Sequence, residues 1–436
     1  MKFVNRKLEL DLLSESHKKN GLVVLFGRRR IGKSNLLEYW LKKSKIRGCR
    51  VQCIQGTSES QIKSIYDDLK DFLNIHIEPT TWPQLFQLID DIAGPFTLAI
   101  DEFPYLVETQ KSVPSIFQKW IDTKKKKDLH LVLLGSSQHM MHDIFLNKAA
   151  PLFGRAHREI KLEAMSFEAF CEALDIGPTQ KSFELYALVG GVPKYWEYID
   201  AHLTVEKNID QLFFNYAAFL ENEPRKLLQD EGIEGLIPLS VLDCIGRGAH
   251  KPSDIAARIG IQQSQLSRTF TALLEGHFLT KDICFNEGAK NPKKVLYQIQ
   301  DYSFCFWYQV YTPYQARWPR MTAEEKRHVL QLYFSKIFED YMRKQHKGAQ
   351  RYWESIKIKK PNGEIIVKGI EFDAVFYDEK HPKQLVIAEI KYKNLSTQQT
   401  LTLLSELKKK WEQSKLSSQY ENPSFRIIDL NKINHP

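Results

Sequence analysis

The sequence predicts an α/β protein with a parallel β-sheet in its first half and a mixture of helices and β-hairpins in its second half. Three apolar runs in the first half each end in polar residues, which is typical of buried parallel strands. A glycine-rich loop joins the first run to an apolar helix. Later segments alternate apolar and polar residues, as hairpins do. With 436 residues, the chain has room for about three domains.

Composition is typical of a soluble globular protein, with 43% hydrophobic and 26% charged residues. The net charge of +9 favours polyanionic partners. Charges throughout residues 1–13 argue against a signal peptide, and the apolar runs are too short to cross a bilayer. Six cysteines without a CxxC pair indicate reduced thiols. We therefore expect a cytoplasmic protein that does not contact the membrane.

The first motif lies in Gly21–Leu37, where an apolar run enters a G-x-x-x-x-G-K-S loop and a helix follows. Backbone N–H groups of such a loop surround phosphate oxygens at a helix N-terminus. Lys33 is expected to reach the β- and γ-phosphates and Ser34 to bind Mg²⁺. A Gly/Arg-rich surface turn is the alternative. The predicted ATP contacts are Gly27, Arg28, Arg29, Arg30, Ile31, Gly32, Lys33, Ser34 and Asn35.

The second apolar run, within Pro95–Tyr105, ends in two adjacent acids, Asp101 and Glu102. At the carboxyl end of a central strand, Asp101 would hold Mg²⁺ and Glu102 would polarise the water that attacks the γ-phosphate. The alternative is that the two acids cap a helix, because Asp and Glu favour helix N-termini.

The third apolar run, Leu129–Leu134, leads into Ser136 and Ser137. One of these serines is expected to lie beside Asp101 and to sense the γ-phosphate, and the sequence does not choose between them. Arg155 follows in a Pro-Leu-Phe-Gly-Arg segment. It is predicted to stabilise the transferring phosphoryl group, within the chain or from a neighbouring subunit of a homo-oligomer. A surface ion pair is the alternative.

Residues 1–230 resemble the archaeal-type ATPase family of the AAA+/STAND superfamily. The matching segments are FVNR with Glu9, GRRRIGKS, LAIDEF, LLGSSQ, PLFGR and GGVPKY. The resemblance implies an AAA+-like P-loop core over residues 1–162 and a helical lid over residues 163–230. It also implies nucleotide contacts by Arg6 and Lys194, for which an exposed salt bridge and a solvated lysine are the alternatives.

Residues 231–302 are predicted to form a winged helix. An apolar helix ends at Gly246, a short helix starts at Ser253 as N-cap, and a tight turn leads into a helix over 265–274. A hairpin with a basic tip follows. The residues expected to meet DNA bases or phosphates are Gln262, Gln263, Gln265, Ser267 and Arg268, with Lys290, Lys293 and Lys294 on the DNA backbone. The alternative is a protein–protein adaptor.

Residues 303–436 contain a second predicted hairpin, Ile370–Tyr377 with Leu385–Tyr392. Glu389 and Lys391 are two residues apart and share a face of the strand, and Asp373 on the partner strand is expected to converge with them. This D…ExK hairpin resembles the PD-(D/E)xK nuclease superfamily. The resemblance implies a metal held by Asp373 and Glu389, with Glu339 on the preceding helix as a further ligand. An inert nucleic-acid clamp is the alternative.

Together these motifs predict a protein that binds and hydrolyses ATP and couples its nucleotide state to DNA binding, with metal-dependent DNA cleavage as a further expectation. The competing hypothesis is a STAND-type signalling switch. In that case the C-terminal domains would bind a protein partner.

Overall fold

The computed structural model describes residues 2–74, 76–288, 291, 294–359 and 365–433. It divides into two compact units. The first contains residues 1–173, 191–197 and 227–232, and the second contains residues 174–190, 198–226 and 233–436. This division differs from the four predicted domains: the predicted lid is shared between both units, and the predicted winged helix and C-terminal domain fall in the same unit.

The strands, in chain order, are β1 (Leu22–Phe26), β2 (Gly48–Gln52), β3 (Phe96–Asp101), β4 (Leu129–Gly135), β5 (Arg158–Lys161), β6 (Leu279–Ile283), β7 (Val295–Ile299), β8 (Gln350–Lys359), β9 (Ile365–Tyr377), β10 (Leu385–Ile390) and β11 (Ser424–Ile428). The first five belong to the first unit and the others to the second unit.

The helices of the chain up to the second sheet are α1 (Lys7–Lys18), α2 (Lys33–Ser44), α3 (Ser58–Leu69), α4 (Trp82–Asp90), α5 (Pro104–Thr109), α6 (Val113–Thr123), α7 (Gln138–Met141), α8 (Phe167–Leu174), α9 (Gln180–Val189), α10 (Pro193–Trp196), α11 (Val205–Ile209) and α12 (Glu223–Asp230). The remaining helices are α13 (Leu236–Gly246), α14 (Pro252–Ile259), α15 (Ser267–Glu275), α16 (Tyr302–Phe306), α17 (Thr312–Tyr314), α18 (Ala323–Lys344) and α19 (Thr397–Glu412). None of the helices in the described residues is long and apolar enough to cross a membrane.

The first unit is built on a five-stranded parallel sheet in the order β2-β3-β4-β1-β5. Its three central strands are buried along their whole length, which explains their continuous apolar sequences. Because all strands are parallel, their carboxyl ends meet at one edge, where the phosphate loop follows β1 and the predicted acids end β3.

The second unit contains a two-stranded antiparallel hairpin, β6–β7, preceded by α13, α14 and α15. This is the order of elements predicted for a winged helix. The N-cap of α14 is Lys251 rather than the predicted Ser253, because the helix already begins at Pro252. Lys290 and Lys293 lie outside the described residues.

The other sheet of the second unit has the order β11-β10-β9-β8, with α18 before it and α19 between β10 and β11. β10 pairs antiparallel with β9 and parallel with β11. Phe285, just beyond β6, packs in the same core as Phe372 and Trp411 of this region, and its N–H donates to Arg351 O at 2.7 Å. The predicted return strand ends at Ile390, so Lys391 immediately follows it.

Candidate nucleotide site and a second charged cluster

The phosphate loop runs from the end of β1 to the start of α2, and its backbone requires glycine at two positions. Gly27 has φ 153°, and a Cβ there would lie 2.7 Å from Leu162 O. Gly32 has φ 96° and stands at the N-terminus of α2. Both conformations are costly for residues with a side chain. The loop therefore presents a helix N-terminus to the carboxyl edge of the sheet, as anion-binding loops do.

Lys33 is a buried cation with only 5% of its surface exposed. Its Nζ donates to Gly27 O at 2.9 Å and to Ser136 Oγ at 2.8 Å. Burial lowers the Lys33 pKa, against the attraction of Glu102 and Asp101. Within the described residues no carboxylate forms a hydrogen bond or ion pair with this ammonium group. A buried ammonium group without an anionic partner fits the phosphates of a nucleotide.

Ser34 and Asp101 supply the oxygen donors expected for Mg²⁺. Ser34 Oγ donates to Asp101 Oδ2 at 2.7 Å, and Asp101 is 2% exposed at the end of β3. A hydroxyl and a buried carboxylate match the hard oxygen ligands that Mg²⁺ prefers. Arg50, which we did not predict, also reaches Asp101 Oδ2, at 3.0 Å from its Nη1. It lies on the neighbouring strand β2, and no local sequence signal marks it.

Glu102 and Ser136 are joined across the ends of β3 and β4. Ser136 N donates to Glu102 Oε2 at 3.1 Å, and Ser136 Oγ donates to Glu102 Oε1. Glu102 has φ 55°, a left-handed conformation that is uncommon for this residue type and often found at functional sites. Lys33, Ser136 and Glu102 thus form a hydrogen-bonded chain, which makes Ser136 the serine that faces the phosphate loop.

Ser137 points to a different carboxylate. Its Oγ donates to Glu231 Oε2 at 2.9 Å, and Gln138 N donates to Glu231 Oε1 at 3.3 Å. Burial raises the Glu231 pKa, although these hydrogen bonds and Lys33 oppose the shift. The neighbouring Asp230 forms an ion pair with Arg29 of the phosphate loop. Sequence reasoning missed both acids, because they lie about 130 residues beyond β3 without a motif of their own.

Two residues carried over from the family resemblance occupy different environments. Arg6 is buried beside the loop and donates to Ile31 O at 3.3 Å and to Glu163 O at 2.9 Å. Lys194 is half-exposed and forms an ion pair with Glu197. From the same segment, Tyr195 reaches the loop instead, since its hydroxyl accepts from Arg28 Nη2 at 3.2 Å. Asn35 is exposed on the first turn of α2.

Arg155 does not reach the phosphate loop of its own chain. It precedes β5, whose register with β1 places the start of both strands at the amino-terminal edge of the sheet, opposite the loop. There it forms an ion pair with Asp122 at 2.8 Å and donates to Pro151 O. The predicted contact within the chain is therefore corrected, because the parallel register puts the length of a strand between them. A role in a neighbouring subunit stays a prediction.

The residues predicted to read DNA lie mostly on the surface. Exposed side chains at the start of α15 and the preceding turn are Gln262, Gln263, Gln265, Ser267 and Arg268. Lys294 is an exception to the expectation. Its Nζ donates to Trp353 O at 2.6 Å and lies 5.5 Å from the Tyr352 ring centroid. We correct its assignment to the DNA backbone, because the ammonium group is already bound by the sheet.

The three predicted residues of the D…ExK hairpin do converge. Lys391 Nζ lies 2.7 Å from Glu389 Oε1 and 3.9 Å from Asp373 Oδ2. Asp373 accepts from Ile390 N at 2.8 Å, and burial with the charges of Glu339 and Glu389 raises its pKa to about 7. Burial also acts on Glu389, but Lys391 and Lys410 outweigh it and lower the Glu389 pKa.

Cations surround this cluster more closely than the sequence suggested. Lys410 on α19 lies 3.0 Å from Glu389 Oε2. Glu339 pairs with Arg343 at 3.2 Å and with Arg351 at 3.7 Å. Across the described ranges, no set of three or more His, Cys, Asp or Glu side chains is arranged to hold a metal ion. The metal role of Glu339, Asp373 and Glu389 stays a prediction that this geometry does not support by itself.

Comparisons with known proteins agree with the assignment of the phosphate loop to nucleotide binding. Residues 3–199 match the model of an ATPase domain predominantly from Archaea. An uncharacterised protein of Methanocaldococcus jannaschii is 26% identical and covers 94% of this chain and 91% of its own length. An uncharacterised ATP-binding protein of the same organism is 42% identical over 53 residues, which are 12% of this chain and 90% of that protein.

A solved Walker-type ATPase of Pyrococcus abyssi has a similar fold, with a TM-score of 0.54 and 19% identity. The match covers 71% of this chain and 96% of that one. Residues 3–199 therefore match an archaeal-type ATPase domain, and the chain has a fold similar to that of a Walker-type ATPase.

Proposed function

We propose that this chain hydrolyses ATP with Mg²⁺ in its first unit and uses its nucleotide state to control DNA binding by its second unit. The ATPase part is supported by the chain of hydrogen bonds from Lys33 through Ser136 to Glu102, beside the pair of Ser34 and Asp101. The DNA part is supported by the convergence of Asp373, Glu389 and Lys391, together with the net charge of +9.

In the nucleotide site, the phosphate-loop N–H groups and Lys33 would hold the phosphates, and Ser34 and Asp101 would hold Mg²⁺. Bound Mg²⁺ neutralises charge on the phosphates. Glu102 would accept a proton from the attacking water, and its bonds to Ser136 place that carboxylate beside Lys33. Ser136 is thus positioned to report whether the γ-phosphate is present, because it touches both groups.

In the second unit, Lys391 and Lys410 already pair with Glu389, and the described residues contain no set of three or more His, Cys, Asp or Glu side chains arranged to hold a metal ion. We therefore propose that this cluster contributes to DNA binding. DNA cleavage is a separate activity, which the experiment below also measures. Exposed Arg268 at the start of α15 is the proposed phosphate or base contact of the winged-helix elements.

The test measures ATP hydrolysis, DNA binding at several salt concentrations, and cleavage of single- and double-stranded DNA with Mg²⁺ or Mn²⁺. Lys33→Ala should abolish ATP turnover. Affinity for DNA should fall with salt and differ between ATP and ADP, and Lys391→Ala or Arg268→Ala should weaken it. Lys393→Ala, an exposed lysine two residues from Lys391, is the matched control. Cleavage lost in both Asp373→Ala and Lys391→Ala would add nuclease activity.

A STAND-type signalling switch is the second candidate, favoured by the close pairing of Glu339 and Glu389 with cations. Its C-terminal surfaces would bind a protein partner, and ATP hydrolysis would reset the switch. ATP turnover without DNA binding in either nucleotide state would reject the DNA proposal and select this one.

A further inference from the structure

We propose that the second unit contains a binding pocket for a nucleoside phosphate, separate from the phosphate loop. The cavity has a volume of about 440 Å³ and lies among α18, the β6–β7 hairpin and β8. Pockets for small molecules usually measure about 300–1,000 Å³, so a mononucleotide is of suitable size. This inference goes beyond the proposed function, because it holds whether or not the second unit binds or cleaves DNA.

The charged residues of the pocket walls are mostly cationic. The walls carry five lysine or arginine side chains and three acids, namely Lys251, Lys336, Arg343, Lys344 and Arg351 with Glu339, Asp340 and Glu371. These acids form ion pairs with cations of the same pocket. Asp340 lies 3.2 Å from Arg343 and 2.6 Å from Lys344, and Glu371 pairs with Arg351. An excess of positive charge therefore faces the cavity, which favours an anion.

Lys336 identifies where the anionic group would bind. It is partly buried, and within the part of the chain that the structure describes it forms no hydrogen bond or ion pair. Glu339 and Asp340 are near in sequence, but each is hydrogen-bonded to Arg343. A partly desolvated ammonium group with three unused donors is costly unless an acceptor completes it. A phosphate group supplies several acceptor oxygens and the opposite charge.

Other groups of the wall suit a nucleoside rather than phosphate alone. Trp353 Nε1 is a buried donor without a hydrogen-bond partner in the described chain, and Arg351 Nε makes no hydrogen bond there but lies 3.7 Å from Glu339 Oε1. Apolar side chains of Leu296, Ile299 and Ile337 line the same cavity. A base offers ring nitrogens or carbonyl oxygens to such donors and a flat face to apolar and aromatic side chains. The pocket thus combines a cationic end with a surface for a base.

The experiment measures binding of AMP, adenosine and inorganic phosphate to the full chain carrying Lys33→Ala, which removes the phosphate-loop cation. AMP should bind more tightly than either part alone. Adding Lys336→Gln should weaken AMP binding about tenfold or more, because a charge-assisted hydrogen bond is lost. Lys336→Arg should retain most of the affinity. Arg327→Gln, an exposed cation on the same helix, should leave it unchanged.

Lys344→Gln provides a second test in case Lys336→Gln does not fold, since the Lys344 side chain is half-exposed. Equal AMP affinity in both variants and the Lys33→Ala parent, or no AMP binding at all, would overturn the proposal. The source of the ligand is distinguished with a 5′-phosphorylated oligonucleotide. If this strand competes with AMP and its unphosphorylated form does not, the ligand is the phosphorylated end of a nucleic-acid strand. If neither strand competes with AMP, the ligand is a free nucleotide. AMP binding by a chain that fails to bind DNA would support the pocket while rejecting the proposed function.

Discussion

At the scale of single residues, Glu102 occupies the position that we propose separates nucleotide binding from turnover. Both of its carboxylate oxygens are held by Ser136, whose hydroxyl also accepts from Lys33. Lys33, which would bind the phosphates, is therefore two hydrogen bonds away from Glu102, which would accept the proton of the attacking water. Asp101, one residue earlier, is directed to Ser34 instead.

Glu102→Gln should preserve ATP binding and reduce hydrolysis by about a hundredfold or more, because the amide cannot accept the proton of the attacking water. Binding is measured by titration with a fluorescent ATP analogue and hydrolysis by phosphate release. Glu108→Gln, on the exposed side of α5, is the control. Hydrolysis at the parental rate would show that another group activates the water.

Arg50 is expected to compete with the metal for Asp101. The Arg50 guanidinium lies 3.0 Å from Asp101 Oδ2, so it would repel a Mg²⁺ ion bound at the same carboxylate. Arg50→Gln should lower the Mg²⁺ concentration for half-maximal ATP hydrolysis by about threefold to tenfold, on a Coulomb energy of about 1 kcal/mol.

This shift is measured by titrating Mg²⁺ at a fixed ATP concentration. The exposed Lys45, in the same region, supplies the control variant Lys45→Gln, which should behave as the parent does. A higher Mg²⁺ requirement in Arg50→Gln would instead mean that Arg50 helps to organise the metal site.

At the scale of secondary-structure elements, β4 carries a histidine in the middle of the sheet. His130 is fully buried beside His17 and Trp40, and burial, with the charges of His17 and Lys124, lowers its pKa to about 3. The unfolded chain, where the pKa returns to about 6.5, binds this proton more readily. The contribution of neutral His130 to the stability of the fold is therefore complete above pH 6.5 and is lost as the pH falls from 6.5 toward 3.

The free energy of unfolding should thus decrease on acidification by up to about 1.4 kcal/mol per pH unit from this residue alone. His130→Phe should reduce the slope between pH 6.5 and 4, as measured by urea unfolding at each pH. His76→Phe, at an exposed position of the same unit, should keep the parental slope. An unchanged slope in His130→Phe would assign the acid sensitivity to other groups.

The sequence predicted the central strands of the first sheet and missed its edges. β1, β3 and β4 are buried along their whole length and are mainly apolar, whereas β2 (GCRVQ) and β5 (REIK) are partly exposed and mix polar with apolar residues. The same limit applies to the site. Residues within a motif, such as Lys33 and Asp101, are identified from the sequence, but Arg50 and Glu231 lie outside every motif and reach the site through contacts that only the fold creates.

At the scale of the whole molecule, ATP binding should stabilise the first unit against heat. A ligand at one hundred times its Kd adds about 2.7 kcal/mol to the free energy of unfolding. The melting temperature should rise with ATP and Mg²⁺, and Lys33→Ala should remove most of this increase. Differential scanning calorimetry of the full chain provides the measurement, with AMP at the same concentration as a control for binding elsewhere. An equal rise in Lys33→Ala would place the stabilising nucleotide outside the phosphate loop.

The order in which the two units alternate along the chain has a practical consequence. The backbone passes from one unit to the other five times, after residues 173, 190, 197, 226 and 232. The last short return, residues 227–232, brings Asp230 to Arg29 and Glu231 to Ser137. A recombinant fragment ending near residue 199 would keep every motif of the ATPase family and lose both of these acids. A single cut after residue 232 would release all of the first unit, but residues 174–190 and 198–226 would leave with it, so the second unit would be incomplete.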